Sequence, residues 1–98
     1  MRYRHANPTL QWMDDDPDDD GGYSAAIADS FRRRMNQIRQ ARDERDLYAL
    51  KSLRFEKLKG RRQHQRSMRL NDQFRLILEI EPQSGGNVIV VVGIEDYH

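Results

Sequence analysis

Two arginines flank a short turn in the second half of the chain, where Arg69 precedes and Arg75 follows residues 71–73. Apolar and polar residues alternate on both sides of this turn, which is the pattern of two antiparallel β-strands with one apolar face. The alternation places Arg69, Asn71 and Arg75 together on the other face, and we expect that face to be exposed. Because guanidinium groups can contact phosphate oxygens in pairs, the hairpin predicts a surface for a phosphate-bearing ligand.

The sequence closes on a histidine, the side chain whose charge changes near neutral pH. His98 is therefore a candidate proton donor, and negative charge from Asp96, Glu95 and a terminal carboxylate would favour its protonated form. A frayed end with no role is the alternative. Tyr97 could stack on a base or position a phosphate, or it could belong to the core.

Charge is distributed unevenly along the chain, although the formal net charge is only +1. Residues 32–75 contain fifteen of the seventeen Lys/Arg but five of the sixteen Asp/Glu, whereas residues 1–31 and 76–98 are acidic. Fourteen of the basic residues are arginines. A basic segment of this kind indicates contact with nucleic acid or an acidic protein; the alternative is that the arginines only solvate the surface.

The length of 98 residues allows one domain with a single small core. The absence of cysteine excludes disulfides and thiolate metal sites and fits a reducing cytoplasm. No apolar segment reaches membrane-spanning length and no signal-peptide pattern is present, so we expect a cytoplasmic protein without membrane association. His5 and His64 have no carboxylate at a useful spacing, so both are interpreted as surface residues, and no metal or other cofactor is predicted.

Two helices are predicted to support the hairpin. Ser24 is a suitable N-cap for a long helix over about residues 24–42, whose apolar residues recur every three or four positions and predict one buried stripe. Residues 44–50 predict a shorter helix that presents Leu47 and Leu50 to the core. The stripe of the long helix consists of Ile27, Phe31, Met35 and Ile38.

The remaining segments predict strands and a loop. Residues 1–5 predict an edge strand, and a helical turn through Leu10 follows. Residues 14–22 are too acidic and too rich in glycine to fold alone, which predicts a mobile loop. Residues 88–92 are apolar at every position, as in a strand covered on both faces inside a sheet, and Gly93 predicts a bulge or a close backbone approach.

Three short motifs occur in order: Glu-x-Leu-Lys-Gly from Glu56, Ser-Met-Arg-Leu-Asn-Asp-Gln-Phe-Arg-Leu from Ser67, and Asp-Tyr-His from Asp96. Together with the order of elements, they resemble the RelE/HigB toxins of bacterial type II toxin–antitoxin systems, with the HigB branch nearest. The resemblance is close over residues 53–98. Residues 1–52 resemble the family only in the pattern of their elements. It implies an α+β, RelE-like fold over residues 1–98, with an N-terminal strand and two to three helices packed on a mainly antiparallel, twisted sheet of four to five strands.

The resemblance implies a ribosome-dependent endoribonuclease that cuts mRNA in the decoding site and is silenced by a cognate antitoxin. A HigA-like antitoxin with its own DNA-binding fold would be the partner, and operator DNA would be reached only through it. Cutting RNA without a metal requires a base for the 2′-OH, an acid for the departing 5′-oxygen and cations for the charge on phosphorus. His98 is the expected acid, and Glu56 the expected base, although many HigB proteins carry histidine there. Arg75 and Tyr97 are the other two residues expected to be catalytic.

The residues expected to bind RNA lie around the same hairpin and the segment before it. Asn71 could read an adenine edge through its amide or could simply make the turn. Alternative functions are a non-catalytic toxin of the same fold that inhibits gyrase, or a basic RNA-binding module. The expected RNA-binding residues are Arg69, Lys59, Asn71, Asp96, Arg61 and Arg62.

Overall fold

The structure is a computed structural model that describes residues 1–97. Three helices are present in this part of the chain: α1 (Pro8–Asp15), α2 (Ala25–Gln40) and α3 (Glu44–Ala49). The strands are β1 (Tyr3–His5), β2 (Glu56–Lys57), β3 (Gln65–Arg69), β4 (Phe74–Glu81) and β5 (Val88–Asp96), and short 3-10 turns occupy Lys51–Leu53 and Gly60–Arg62.

The five strands form one mixed sheet in the order β1-β5-β4-β3-β2. β1 pairs with β5 in parallel, and the other three pairs are antiparallel. The three helices pack on one face of this sheet, which confirms the predicted α+β architecture and the edge position of the first strand. None of the helices in residues 1–97 is long and apolar enough to cross a membrane.

Helix α2 supplies most of the buried helical residues of the core, as its periodicity predicts. Ser24 is the N-cap, and its hydroxyl accepts a hydrogen bond from the N–H of Ile27. The apolar stripe is buried against the apolar face of the sheet, so the predicted helix and its orientation are confirmed. The two surfaces are Ile27, Phe31, Met35 and Ile38 on the helix, and Met68, Leu76, Leu78, Ile89 and Val91 on the strands.

The second helix is confirmed, but one of its two predicted core residues is not. Leu47 is buried, whereas Leu50 is 44% exposed. The helix ends at Ala49, and Leu50 adopts non-helical backbone angles that start the 3-10 turn. The chain buries Leu53 in its place.

Strand β5 lies inside the sheet between β1 and β4, as its continuous apolar run predicts. Residues 88–91 are buried. The register along β4 shifts so that Ile77 pairs with Gly93 and Leu78 with Val91, which leaves Val92 as the extra residue of a bulge. The irregularity therefore lies beside Gly93, where it was predicted.

The β3–β4 hairpin has the predicted parity, with Met68 opposite Leu76 and Arg69 opposite Arg75. The expectation that its second face is exposed is wrong at the centre, because Ser67 and Ile77 on that face are each only 1% exposed.

The side chain of Arg62 spans part of this face. It hydrogen-bonds Gln65 and Glu95, which flank the row of Ser67 and Ile77 on either side, so the guanidinium crosses over that row. The rows on either side, Gln65 with Glu79 and Arg69 with Arg75, are part-exposed.

A buried polar cluster joins β1, α1 and α2. His5 Nε2 lies 3.0 Å from Asp14 Oδ2, and both side chains are almost fully buried. The Tyr3 hydroxyl and Arg39 Nη1 also donate to the Asp14 carboxylate. Burial alone would raise the pKa of Asp14, but the hydrogen bonds from His5, Arg39 and Tyr3 lower it below its ordinary value.

The cluster corrects two predictions. His5 is not a surface residue, because α1 extends to Asp15 and carries Asp14 to it across nine positions of sequence. For the same reason the acidic loop starts at Asp16 rather than Asp14. His64, 62% exposed, is a surface residue as predicted, but its Nε2 lies 3.8 Å from Glu79 Oε2, so the expectation that it has no carboxylate neighbour is wrong.

The acidic loop is tied to α2 through its backbone. Arg32 donates to the carbonyls of Met13 and Asp19, at 3.1 and 2.6 Å. Carboxylates of the loop accept hydrogen bonds from loop N–H groups two residues further on, and the loop ends in Gly21 and Gly22, both with positive φ.

Candidate active site

Two pockets meet at Tyr97. The larger, about 570 Å³, is called the arginine pocket, and the smaller, about 380 Å³, is called the glutamate pocket. The arginine pocket is lined by Lys51, Ser52, Arg54, Arg69, Asn71, Asp72, Arg75 and Tyr97. The glutamate pocket is lined by Glu56, Lys57, Leu58, Lys59, Arg62 and Tyr97.

Arg75 is held in a defined orientation in the arginine pocket. Arg75 lies near the start of β4, where it pairs with Arg69 of β3. Its guanidinium carbon lies 5.5 Å from the centroid of the Tyr97 ring. Its Nη2 donates to the carbonyl of Arg54 at 2.7 Å. The Nε atom is buried and has no partner among the described residues, so one donor of the guanidinium is unused.

Arg54 has an uncommon backbone conformation that serves this contact. Its φ of 47° and ψ of 52° lie in the left-handed region, which residues with a Cβ adopt rarely. The residue ends the Lys51–Leu53 turn, and the sharp change of direction presents its carbonyl to Arg75. Its own side chain is exposed and lines the same pocket.

Arg69 and the turn complete the arginine pocket. Arg69 pairs with Asp72, so one cation of the pocket already has an anionic partner. Asn71 Oδ1 accepts hydrogen bonds from the N–H groups of Gln73 and Phe74, which agrees with a turn-making role for its oxygen.

Tyr97 is placed by the end of β5 and by the turn. Its N–H donates to the carbonyl of Gln73 at 2.6 Å, and Gln73 Nε2 donates to Asp96 Oδ2 at 3.0 Å. Tyr97 is 46% exposed, so the core alternative for this residue is wrong. His98, the expected acid, lies outside the described residues.

The glutamate pocket combines an exposed carboxylate with cations. Glu56 lies in β2 opposite Ser67 and is exposed. Arg62 Nη1 and Nη2 donate to both oxygens of Glu95, at 2.8 and 2.5 Å. Its hydrogen bonds to Glu95 raise the pKa of Arg62. Any anionic ligand would therefore have to compete with Glu95 for this arginine.

The sequence matches the family model for the RelE-like toxin of the type II toxin–antitoxin system HigB over residues 4–98. This chain belongs to the HigB-like toxin family. Its fold is similar to that of a YoeB/ParE toxin from Agrobacterium tumefaciens, with a TM-score of 0.55 and 14% sequence identity over 100% of both chains. A comparison with curated proteins found no match. Because type II systems pair a toxin with an antitoxin, family membership implies a cognate antitoxin as partner of this HigB-like toxin.

The predicted site residues of this HigB-like toxin fall into three groups. Arg75, Arg69, Asn71 and Tyr97 line the arginine pocket, and Glu56, Lys59 and Arg62 join Tyr97 around the glutamate pocket. Arg61 and Asp96 are exposed but line neither pocket. No cluster of three His, Cys, Asp or Glu side chains suited to a metal ion occurs within residues 1–97.

Sequence reasoning missed the segment that forms one wall of the arginine pocket. Lys51, Ser52 and Arg54 surround the buried Leu53 in a short exposed stretch between α3 and β2. Lys51 and Arg54, five and two residues before Glu56, were the available signal. Their position opposite the hairpin depends on how the chain turns at Arg54, which sequence periodicity does not report.

Proposed function

We propose that this HigB-like toxin is an endoribonuclease that cleaves mRNA in the decoding site of the ribosome. The observation that carries the proposal is that one aromatic side chain, Tyr97, forms a wall of both pockets. One pocket provides arginines for a phosphate, and the other provides the Glu56 carboxylate. General acid–base cleavage of RNA needs both kinds of group beside the same phosphodiester.

In the proposed reaction, the Glu56 carboxylate takes the proton of the 2′-OH. The 2′-oxygen attacks phosphorus and the bond from phosphorus to the 5′-oxygen breaks, which leaves a 2′,3′-cyclic phosphate and a 5′-hydroxyl. His98 gives its proton to the departing 5′-oxygen. Arg75 and Arg69 stabilise the negative charge that gathers on the phosphoryl oxygens.

The contacts of Arg75 support its role in this reaction. A guanidinium held by the Arg54 carbonyl and the Tyr97 ring is oriented before substrate arrives, and a fixed cation stabilises a transition state better than a mobile one. Its buried Nε–H has no partner within residues 1–97, and a small shift of the side chain toward a phosphate oxygen would satisfy it.

The rim formed by Lys51, Ser52 and Arg54 extends the proposed substrate path. These residues share the pocket with Arg75 but lie on the segment between α3 and β2, so they are suited to the phosphate next to the scissile one. Both pockets are open to solvent and offer few surfaces that could orient an RNA strand. We therefore assign the substrate pose to the ribosome.

The partner of this toxin is proposed to be a HigA-like antitoxin with its own DNA-binding fold. Acidic antitoxin contacts would suit the basic segment 32–75, and operator DNA would be bound only through the antitoxin. The proposed compartment is the cytoplasm, where translating ribosomes are found.

The proposal is tested by primer extension on mRNA from a reconstituted translation reaction. Loss of His98 or a Glu56→Gln substitution should each lower cleavage by about 100-fold or more, because each removes a proton-transfer group. His64→Gln, at an exposed histidine that lines neither pocket, is the matched control and should cut at the wild-type rate.

Growth arrest that survives loss of His98, together with inhibition of DNA gyrase, would instead support a non-catalytic toxin. Undiminished cutting by the Glu56→Gln variant would remove Glu56 from the role of base while leaving the nuclease activity in place.

A further inference from the structure

The turn at residues 71–73 connects the residues on both sides of the arginine pocket. Arg69 lies two residues before the turn and Arg75 two residues after it, and the two pair with each other. The carbonyl of Gln73 accepts the N–H of Tyr97, so the same turn also anchors the end of β5. A displacement of this turn would therefore move the cations and the shared tyrosine relative to each other.

Helix α2 contacts the hairpin just before this turn through two side chains. Ser30 Oγ donates to the carbonyl of Leu70 at 2.7 Å, and Arg34 Nε donates to the carbonyl of Arg69 at 2.7 Å. The two carbonyls are consecutive in the chain and end the β3 side of the hairpin. Ser30 and Arg34 are four residues apart, so they lie on the same face of the helix, one turn apart.

Both side chains are polar groups at buried or part-buried positions, where an apolar residue would cost less free energy. Ser30 is only 2% exposed, so its hydroxyl must find a hydrogen-bond partner inside the protein. An apolar residue could fill its place without a hydroxyl that must be satisfied.

Arg34 is part-buried and sits among like charges. Burial, with the nearby charges of Arg33 and Arg69, lowers the pKa of its guanidinium. No ion pair links it to a carboxylate in the described part of the chain; its side-chain bonds go to the Arg69 carbonyl and to Gln37. A part-buried guanidinium without a carboxylate partner destabilises the folded state. The fold itself does not require a charged residue at this position.

We propose that Ser30 and Arg34 are positioning residues for the active site. By holding the carbonyls of Leu70 and Arg69 they fix the turn, and through it the guanidinium of Arg69 and the backbone of Tyr97. The proposal rests on the proposed function in that the positioned groups are those assigned to RNA cleavage. Neither Ser30 nor Arg34 lines the arginine pocket or the glutamate pocket, so neither is expected to touch substrate.

The test compares Arg34→Met and Ser30→Ala, which lack the donors, with Arg34→Gln, which keeps an N–H donor without charge. Arg33→Met is the matched control, because Arg33 is an exposed neighbour with the same charge. Amide hydrogen exchange at Gln73 and Tyr97 reports the turn, and steady-state cleavage of mRNA on ribosomes gives kcat and KM.

Arg34→Met and Ser30→Ala should each raise exchange at these two amides by about tenfold and lower kcat by about tenfold, with KM within roughly twofold of wild type. Arg34→Gln should recover most of both losses. Arg33→Met should leave both readouts at the wild-type values.

Exchange at Val90, in the middle of the sheet, separates a local effect from a general loss of stability. A rise at Val90 as large as that at Gln73 would overturn the proposal, and so would unchanged exchange at the turn. Equal loss of kcat in Arg34→Met and Arg34→Gln without faster exchange would assign Arg34 a purely electrostatic effect and would also overturn it. If the wild-type protein cuts no RNA, the proposed function fails, while the exchange data still decide whether Ser30 and Arg34 hold the turn.

Discussion

At the scale of single residues, Arg54 has two separable properties. Its backbone is in the left-handed region and presents a carbonyl to Arg75, while its side chain contributes positive charge to the arginine pocket. A substitution can change one property without the other. Stability and RNA binding should therefore respond in opposite directions.

We predict that Arg54→Gly stabilises the fold by roughly 0.5–1 kcal/mol, because glycine adopts positive φ without steric cost while the carbonyl is kept. The same change removes a cation, so the slope of log K for single-stranded RNA against log salt should become shallower by about 0.7. Urea denaturation and fluorescence titrations measure the two effects. Arg54→Lys keeps charge and strain, and serves as the control that should change neither quantity appreciably.

At the scale of elements, the buried cluster around Asp14 joins β1, α1 and α2. Its carboxylate accepts from Tyr3, His5 and Arg39, so one side chain is common to three elements. This explains why α1, of only eight residues, is held in place on the sheet. The cluster lies away from both pockets, and its substitution is a question of stability rather than of chemistry.

We predict that Asp14→Asn destabilises the protein by about 1–3 kcal/mol at pH 7, since it weakens a buried, charge-assisted network. The folded-state pKa of Asp14 lies below its ordinary value of 3.8. Its stabilisation is therefore complete above that value and is lost as the pH falls through the folded-state pKa.

The gap in unfolding free energy between wild type and Asp14→Asn should accordingly shrink from its value at pH 7 as the pH falls below roughly 4. Urea denaturation across this range measures it. Asp15→Asn, one residue further along α1 and exposed, should follow the wild-type curve to within about 0.5 kcal/mol. A gap that widens on acidification would contradict the assigned direction of the Asp14 shift.

At the scale of the whole molecule, basic and acidic regions are segregated, and the acidic loop is the largest block of negative charge. The loop is held to α2 through Arg32, and its hydrogen-bonded carboxylates accept from its own backbone. Its effect on RNA binding should be a long-range field, which salt screens over a Debye length of about 8 Å at physiological ionic strength.

We predict that neutralising the exposed Asp18 and Asp20 as asparagines strengthens RNA binding by less than about twofold at 0.15 M salt, and by more at low salt. A gain that persists at high salt would instead mean that the loop covers the cations directly. Asp14 is left intact in this design because its substitution is expected to lower the stability of the fold.

The features that sequence determined are those in which the decisive contacts are local. The buried stripe of α2 follows from a spacing of three and four residues, and its start follows from a serine that caps its own helix. The hairpin register follows from alternation and from Asn71, whose side chain bonds the backbone of its own turn. These contacts join residues within a few positions of each other, so the order of residue types is sufficient to predict them.

Only the tertiary structure decided the contacts that join distant segments. His5 meets Asp14 across nine positions, Arg75 meets the Arg54 carbonyl across 21, and Arg62 meets Glu95 across 33. Alternation indicates which side chains share a face of a sheet, but it does not indicate which other segment covers that face. The sequence therefore determined which groups could do the chemistry, while the packing of the segment between α3 and β3 decided which of them line the two pockets.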